Sequence, residues 1–279
     1  MQRTDRNSLG SFFKETITSR QNPQVKELVR LRDRAHRDET KTFIVEGLRE
    51  VSRAVKAGIP IKTLYCCPEL FKAPKAHTFL DEVHEQGMEL YAFNKEVFAK
   101  VSARQGPDGV LAVIKQWDWS LEQIKLSEKP LVLVVQGVEK PGNLGGLIRT
   151  AEGAGVDALI VCDPITDLFN ANTIRNAQGA FFSLPMAMGT SEKVHAFIQQ
   201  GGLQLVATTP DTNTLHWDVD YTQPTAILLG AEHEGLSGFW LEHAMTRVRI
   251  PMQGSADSLN VSAAGSVMLF EAVRQRTQG

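Results

Sequence analysis

The chain has 279 residues, of which 42% are hydrophobic and 22% charged, a composition typical of globular proteins with one or two domains. No apolar run approaches the roughly 18 residues needed to cross a bilayer, and the N-terminus lacks the apolar core of a signal peptide, so we expect a cytoplasmic protein without membrane contact. Three cysteines, none in a C-x-x-C spacing, exclude a disulfide framework, and a net charge of −2 argues against a generic nucleic-acid binder.

The charge is unevenly distributed along the chain. Residues 1–60 hold 13 Lys or Arg against 8 Asp or Glu, whereas the remainder holds 17 against 24. The basic side chains concentrate between Arg20 and Lys41, as in a segment that contacts a phosphate backbone. The acids interspersed there leave open a second interpretation, a solvated helix face. The residues predicted to contact nucleic acid are Arg20, Lys26, Arg30, Arg34 and Arg37.

Elements of the first half alternate between helix and strand. Asn22-Pro23 predicts a helix start, with Asn as the cap and Pro in the first turn. Strands are predicted at TFIVE, IKTLYCC, ELYAF and GVLAVIK, and helices at GLREVSRAVKAG, KAHTFLDEVHEQG and NKEVFAKVS. We therefore predict an N-terminal tail over residues 1–16, an α/β domain over 17–115 and a polar linker over 116–130.

The second half, residues 131–279, is a second predicted α/β domain. Strands are predicted at 131–137, 157–162, 203–208, 225–230 and 247–250, and helices at 143–153, 170–178, 191–200, 237–244 and 259–276. This alternation predicts a parallel sheet covered by helices on both faces. Ligands of such sheets bind beyond the carboxyl ends of the strands.

Three loops that follow predicted strands contain unusual residues. The first, after Val138, has Asn143 and Arg149 in a glycine-rich turn that lacks the G-x-G-x-x-G spacing. An arginine there would suit phosphate, although an ion pair with Glu152 is an alternative. The second loop contains Glu232 and the third runs from Arg249 to Gly265. The polar residues of the third could simply cap the last helix. Together the loops fit the walls of one pocket better.

In order and spacing these loops resemble the three motifs of the SpoU/TrmH-type RNA ribose 2′-O-methyltransferases of the SPOUT superfamily. The matching stretches are NLGGLIRTA from Asn143, LGAEHEGLS from Leu229 and IPMQGSADSLNVS from Ile250. ITSRQNPQVKELVRLRDRAHRDETKTFIVEGLREVSRAV and QGPDGVLAVI resemble an L30e-like substrate-binding domain found in one branch of the family. The resemblance extends from about Ile17 to Arg276.

The resemblance implies a fold, a reaction and a set of site residues. It implies a C-terminal α/β knot, a homodimer, S-adenosylmethionine (AdoMet) as methyl donor without a metal, and RNA as substrate, with ribosomal RNA favoured over transfer RNA. The implied catalytic residues are Asn143, Arg149, Glu232, Ser258 and Asn260. The implied cofactor-binding residues are Thr208, Gly230, Ile250 and Leu259. Since a guanidinium stays protonated, we expect Arg149 to hold phosphate and orient the ribose hydroxyl rather than act as a simple base.

The sequence departs from the family pattern at Ala177 and at His233, which is not the commonest residue after the glutamate of the second motif, and it leaves several alternatives open. RNAQGA has Ala177 where the family commonly has Ser, which we expect to affect substrate choice or packing. A Rossmann-type enzyme is one alternative, because Asp163 lies about 20 residues after the turn, where such a fold places an acid that binds a ribose. The missing G-x-G-x-x-G spacing makes this alternative the weaker one. A non-catalytic RNA-binding protein and methylation of a base are the others. The retained polar residues argue against the former, and the SLN of the third motif favours ribose.

Overall fold

The computed structural model describes residues 12–231, 234–244 and 246–278. Contacts divide it into two compact units, one comprising the chain up to Trp117 together with Phe169–Arg175, the other comprising Asp118–Leu168 and the chain from Asn176 onward. Among the described residues, no helix is long and apolar enough to cross a membrane.

The first unit contains a five-stranded mixed sheet with the order β1-β4-β3-β5-β2, in which β5 is antiparallel to both of its neighbours. Its elements are β1 (Glu15–Ile17), α1 (Pro23–Arg30), α2 (Arg34–Thr40), β2 (Thr42–Glu46), α3 (Leu48–Lys56), β3 (Ile61–Cys66), α4 (Lys75–Glu85), β4 (Leu90–Phe93), α5 (Lys95–Val101) and β5 (Val110–Lys115). Helices α1 and α5 pack on one face, where Leu28, Tyr65 and Phe98 belong to one buried cluster.

Local sequence explains where the first helices begin. The Asn22 side chain accepts a hydrogen bond from the Gln24 N–H at 2.8 Å, so the predicted cap is confirmed. The basic segment divides into two helices because Asp33 starts a new cap, accepting from the Ala35 N–H at 3.0 Å. The short strand β1 was not predicted, since its three residues have no apolar alternation of their own.

The second unit is built on a six-stranded sheet in which every paired strand is parallel, with the order β11-β9-β10-β6-β7-β8. Its elements are β6 (Leu131–Gln136), α6 (Pro141–Gly153), β7 (Ala158–Cys162), β8 (Met186–Gly189), α8 (Ser191–Gln200), β9 (Gln204–Thr208), β10 (Thr225–Leu229), α9 (Gly238–His243), β11 (Thr246–Val248) and α10 (Val261–Gln278). Helix α7 (Ala171–Ala177) is divided between the units, since residues 171–175 belong to the first and residues 176–177 to the second. The predicted parallel sheet is confirmed, and the predicted elements end within two residues of the observed ones. The edge strand β8 was missed because four residues between turns give too short a pattern.

Helices cover both faces of this parallel sheet. On one face, Val194 and Ile198 of α8 and Trp240 of α9 are buried against the strands. On the other, α10 packs against α6 and β10. A Cβ on Gly146 of α6 would lie 2.5 Å from the Ser262 Oγ of α10, so the glycine allows these two helices to approach closely.

The chain crosses itself at the carboxyl ends of the strands. Strand β11 lies outside β9, yet the helix that follows it packs near the middle of the sheet. On the way, the Arg249 N–H donates to Thr214 O at 2.9 Å, and the His216 N–H donates to Arg249 O at 3.0 Å. The segment after β11 is therefore hydrogen-bonded to the connection between β9 and β10 before it reaches α10.

Candidate active site

A cleft of about 430 Å³ opens at the carboxyl ends of β9, β10 and β11, where three loops meet. This is the edge at which parallel sheets bind ligands. Six of the residues predicted for the site line the cleft: Thr208, Gly230, Ile250, Ser258, Leu259 and Asn260. Leu229, Val261 and Ala264 add an apolar wall. The structure thus brings together side chains that the sequence spreads over more than fifty positions.

The loop after β10 is a tight turn that requires glycine at position 230. Ala231 and Gly235 pair through two backbone hydrogen bonds of 2.9 and 3.1 Å. A Cβ on Gly230 would lie 2.3 Å from the Gly235 carbonyl carbon, far inside van der Waals contact. The backbone of Gly230 can therefore face the cleft only because it has no side chain. Glu232, predicted within this loop as a catalytic residue, lies outside the described residues.

Asn143 and Asn260, predicted from separate motifs, are in direct contact. Asn143 lies in the first turn of α6, and its Oδ1 accepts a hydrogen bond from the Asn260 Nδ2 at 3.2 Å. The Asn260 Oδ1 accepts from the Ser262 N–H at 3.0 Å and so caps α10. The capping interpretation of Asn260 is therefore confirmed, and its contact with Asn143 is compatible with the site interpretation, because one amide has a donor end and an acceptor end.

Arg149 is exposed on α6 and is not among the described residues that line the cleft. The alternative ion pair with Glu152 does not form, since the salt bridges between described residues do not include it and Glu152 instead accepts from the Ser183 Oγ at 3.2 Å. A guanidinium left at the surface is available to an anion such as phosphate.

The cleft lining fits a nucleoside with a charged tail, the chemistry of AdoMet. The Thr208 Oγ1 is buried and has no hydrogen-bond partner among the described residues, so it can bond to a ligand polar group without losing a protein contact. Leu229, Leu259 and Val261 supply apolar surface for a ring system. Lys140 and Asp257 also line the cleft. The sequence interpretation did not assign these two residues to the cofactor. The only sequence feature that could have predicted them is a charged side chain within a loop of small residues.

Asp163, the residue that favoured a Rossmann-type enzyme, has a structural role. Its carboxylate accepts from the Ser191 N–H at 3.0 Å and the Ser191 Oγ at 2.6 Å, at the start of α8. Burial acts to raise the pKa of the Asp163 carboxyl, but hydrogen bonds from Ser191 and Gln136 outweigh burial and keep the pKa below its ordinary value. A carboxylate so engaged is not free to bind a ribose, which removes that argument for a dinucleotide enzyme.

The basic residues predicted on the first unit divide into two groups. Arg20, Lys26, Arg30 and Arg34 are exposed, as a phosphate-contacting surface requires. Arg37 is only 5% exposed, and its Nη1 donates to Leu31 O at 2.8 Å and to Arg32 O at 2.7 Å. The prediction that Arg37 contacts RNA is therefore wrong, because its guanidinium is buried and ties the end of α1 to α2.

Two further basic side chains, Lys100 and Arg32, form hydrogen bonds around the carboxyl end of α5. Lys100 of α5 donates its Nζ to Arg20 O at 2.9 Å. Arg32 donates to Lys100 O and Ser102 O at 2.8 and 2.9 Å, at the carboxyl end of α5. All three side chains are exposed or partly exposed along the seam between α1 and α5. The sequence interpretation missed Lys100, since 80 positions separate it from Arg20.

No group of three or more His, Cys, Asp or Glu side chains that could hold a metal ion is present in the described part of the chain. The three cysteines are buried and unpaired with one another. Burial raises the pKa of the Cys162 thiol to about 12, so it is a thiol rather than a thiolate at neutral pH.

Comparison with known proteins gives the site a family context. The SpoU rRNA Methylase family matches residues 130–270, and the MRM3-like substrate binding domain matches residues 22–112. The chain is 33% identical over 256 residues to a 23S rRNA (uridine(2479)-2′-O)-methyltransferase of Streptomyces viridochromogenes, covering 89% of this chain and 88% of the relative.

Two solved structures are similar to this chain over nearly its whole length. A crystal structure of an RNA 2′-O ribose methyltransferase is 41% identical, has a TM-score of 0.82, and covers 94% of this chain and 99% of its own. The AdoMet-bound rRNA methyltransferase from Sinorhizobium meliloti is 34% identical with a TM-score of 0.85, covering 94% and 98%. The second unit has the α/β-knot fold of these enzymes, and the chain belongs to the SpoU rRNA methylase family.

Proposed function

We propose that this chain transfers the methyl group of AdoMet to a ribose 2′-hydroxyl of ribosomal RNA. The observation that carries the proposal is the contact between Asn143 and Asn260 beside a cleft built from three loops. It joins the first and third motifs of a ribose methyltransferase in one place. The relatives named for 23S rRNA ribose methylation support the substrate and the atom that is modified.

The cofactor would bind in the cleft after β9, β10 and β11. Gly230, Ile250 and Leu259 would hold it through the backbone, and the unpartnered Thr208 hydroxyl would add one hydrogen bond. When bound, AdoMet supplies a methyl group on a positively charged sulfonium, an electrophile for an oxygen nucleophile. A titration of the protein with AdoMet by calorimetry tests this assignment, and the Thr208→Val variant tests the hydroxyl.

The polar residues at the mouth of the cleft would act on the RNA. Arg149 would hold the phosphate next to the target and orient the ribose hydroxyl, and the hydroxyl proton would pass to solvent as the oxygen–methyl bond forms and the sulfur–methyl bond breaks. Asn143, Asn260 and Ser258 would complete the polar wall, and Glu232 would position Asn143 and Arg149. Holding the reacting oxygen in line can lower the barrier by several kcal/mol.

The N-terminal unit would bind the RNA around the target nucleotide. The substrate-binding domain match supports this role. The exposed set Arg20, Lys26, Arg30 and Arg34 supplies cations for the phosphate backbone, although Arg30 lies 3.8 Å from Glu27 and Arg34 lies 3.6 Å from Asp38. Exposed pairs of this kind are weak, so a phosphate can displace the carboxylate.

We also propose that the protein is a cytoplasmic homodimer. Phe270 of α10 is half exposed, at 50%, and Ile165 is 57% exposed. Large apolar side chains at a surface are typical of subunit contacts. A ribosomal substrate would place the enzyme where ribosomes are assembled. Sedimentation of the purified protein tests the dimer, and the Phe270→Lys variant should shift it toward monomer.

The reaction is tested with methyl-labelled AdoMet, the purified protein and RNA from cells lacking it, followed by digestion to nucleosides. Label in a 2′-O-methylated nucleoside is the expected result, and fractionating the RNA first distinguishes ribosomal from transfer RNA. Label on a base would overturn the ribose assignment while keeping the family. Absence of both label and AdoMet binding would favour a non-catalytic RNA-binding protein.

A further inference from the structure

Gln136 lies at the centre of a hydrogen-bond network beneath the loop after β10. It is the last residue of β6 and is only 8% exposed. Its Oε1 accepts from the Ser237 N–H at 3.0 Å, and its Nε2 donates to the Ser237 Oγ at 2.9 Å and to the Asp163 Oδ2 at 3.0 Å. One side chain thus joins β6, the end of β7 and the residue that precedes α9.

The chemistry of the partners allows only one orientation of the Gln136 amide. An ionised Asp163 carboxylate can only accept, and the Ser237 backbone N–H can only donate. The oxygen of the amide must therefore face Ser237 and its nitrogen must face Asp163. A group with one donor end and one acceptor end is required here, and Glu or an apolar side chain would leave at least one partner unsatisfied.

Asp163, at the other end of the network from Ser237, has hydrogen-bond partners of its own. Asp163 has a φ of +47°, in the left-handed region that non-glycine residues rarely occupy. Its carboxylate accepts both the N–H and the Oγ of Ser191, which is buried at the start of α8. Gln136 therefore attaches Ser237 to a carboxylate that already joins the end of β7 to the start of α8.

The loop after β10 runs from Gly230 to Ser237. The backbone of its first residue, Gly230, faces the cleft, and Ser237 is its last residue. The loop is closed by the Ala231–Gly235 pair, and the Gly235 backbone lies so close to Gly230 that position 230 has no room for a Cβ. Because the Gly235 backbone contacts Gly230 and lies two residues before Ser237, we expect a displacement of Ser237 to move Gly230 as well.

We propose that Gln136 is a positioning residue that fixes the loop from Gly230 to Ser237 against the sheet and thereby sets the cofactor wall of the cleft. Its effect on cofactor binding rests on the proposed function, whereas its effect on the loop does not. Gln136 does not line the cleft among the described residues, so it acts through the loop rather than by contact with the ligand.

Amide hydrogen exchange of the free protein, followed by mass spectrometry, tests the loop directly. In Gln136→Met, exchange in the peptide covering 229–237 should become about tenfold faster, equivalent to about 1.4 kcal/mol. The matched control is Gln204→Met, because Gln204 also donates to two acceptors, Asp220 O and the Thr225 Oγ1, but at the amino end of β9. The control should leave exchange in 229–237 unchanged.

A second variant keeps the test decisive if Gln136→Met does not fold. Ser237→Ala removes one of the two hydrogen bonds to Ser237 and keeps the other, so the acceleration should be about threefold. Unchanged exchange in both variants, or equal acceleration in Gln204→Met, would overturn the proposal.

AdoMet calorimetry then distinguishes an effect of Gln136 on the loop alone from an effect on cofactor binding. Gln136→Met should weaken AdoMet binding about tenfold relative to Gln204→Met, while kcat at saturating AdoMet changes less than KM. Faster exchange with unaltered affinity would refute the link from Gln136 to the cofactor wall. If the wild-type protein binds no AdoMet, the proposed function fails, and the exchange experiment still decides the role of Gln136 in the loop.

Discussion

Replacing Gly230 by alanine tests how the cofactor wall is built. The added Cβ would lie 2.3 Å from the Gly235 carbonyl carbon, 2.5 Å from its oxygen and 2.6 Å from the Leu236 nitrogen. Carbon atoms pack at roughly 3.5–4.0 Å, so the backbone must move by more than about 1 Å. All three obstacles are backbone atoms and cannot rotate aside.

The magnitude follows from the cost of overpacking, about 1–3 kcal/mol for extra atoms in a site that cannot relax. If the loop moves to make room, that energy appears as weaker AdoMet binding, by roughly 5-fold to 150-fold. If the loop resists, the same energy appears as lower stability. Calorimetry with AdoMet and urea unfolding of the free protein should therefore be measured together.

The matched control is Gly238→Ala, at the start of α9. A Cβ there meets nothing within 4 Å, and alanine favours a helix over glycine. The control should bind AdoMet like the wild type with equal or greater stability. The reasoning would be refuted if Gly230→Ala matched the control within twofold in affinity and within about 0.5 kcal/mol in stability.

Three further predictions concern other parts of the chain. Arg149→Ala should lower kcat at least about 100-fold with unchanged AdoMet affinity, because the side chain acts on the RNA; full turnover in a methyl-transfer assay would remove Arg149 from the mechanism. Arg37→Ala should lower the free energy of unfolding by about 2–3 kcal/mol, since one buried and one part-buried carbonyl group lose a charged donor. Arg20→Ala should instead leave stability unchanged and reduce the salt dependence of RNA binding. Hydrogen bonds from Arg274 lower the pKa of Glu271 to about 2, so this carboxylate stabilises the fold above its unfolded pKa, near 4.3, and the contribution is lost as the pH falls toward 2. Urea unfolding should show the difference between wild type and Glu271→Gln narrowing over that interval, and a difference that is constant from pH 7 to pH 2.5 would contradict the assignment.

Interactions within a short stretch of chain were predictable because the sequence contains both partners. The Asn22 cap, the strands of the parallel sheet and the three loops that follow them depend on periodicity and on the residues next to each element. The motif residues of those loops also predicted a cleft at one edge of the sheet, since carboxyl ends of parallel strands share that edge. The sequence could not decide between a cap and a site residue at Asn260, and the structure shows an amide that caps α10 and also contacts Asn143.

Contacts between distant residues were decided by the tertiary structure. Asn143 and Asn260 meet because α6 and α10 pack closely through Gly146. The burial of Arg37 depends on how α2 folds back on α1, which no local pattern reveals in a segment rich in exposed arginines. The role of Gln136 depends on partners 27 and 101 positions away. Sequence by itself determined which residues are candidates for chemistry, whereas only three-dimensional packing decided which of them share a site, because hydrogen bonds and burial depend on distance in space.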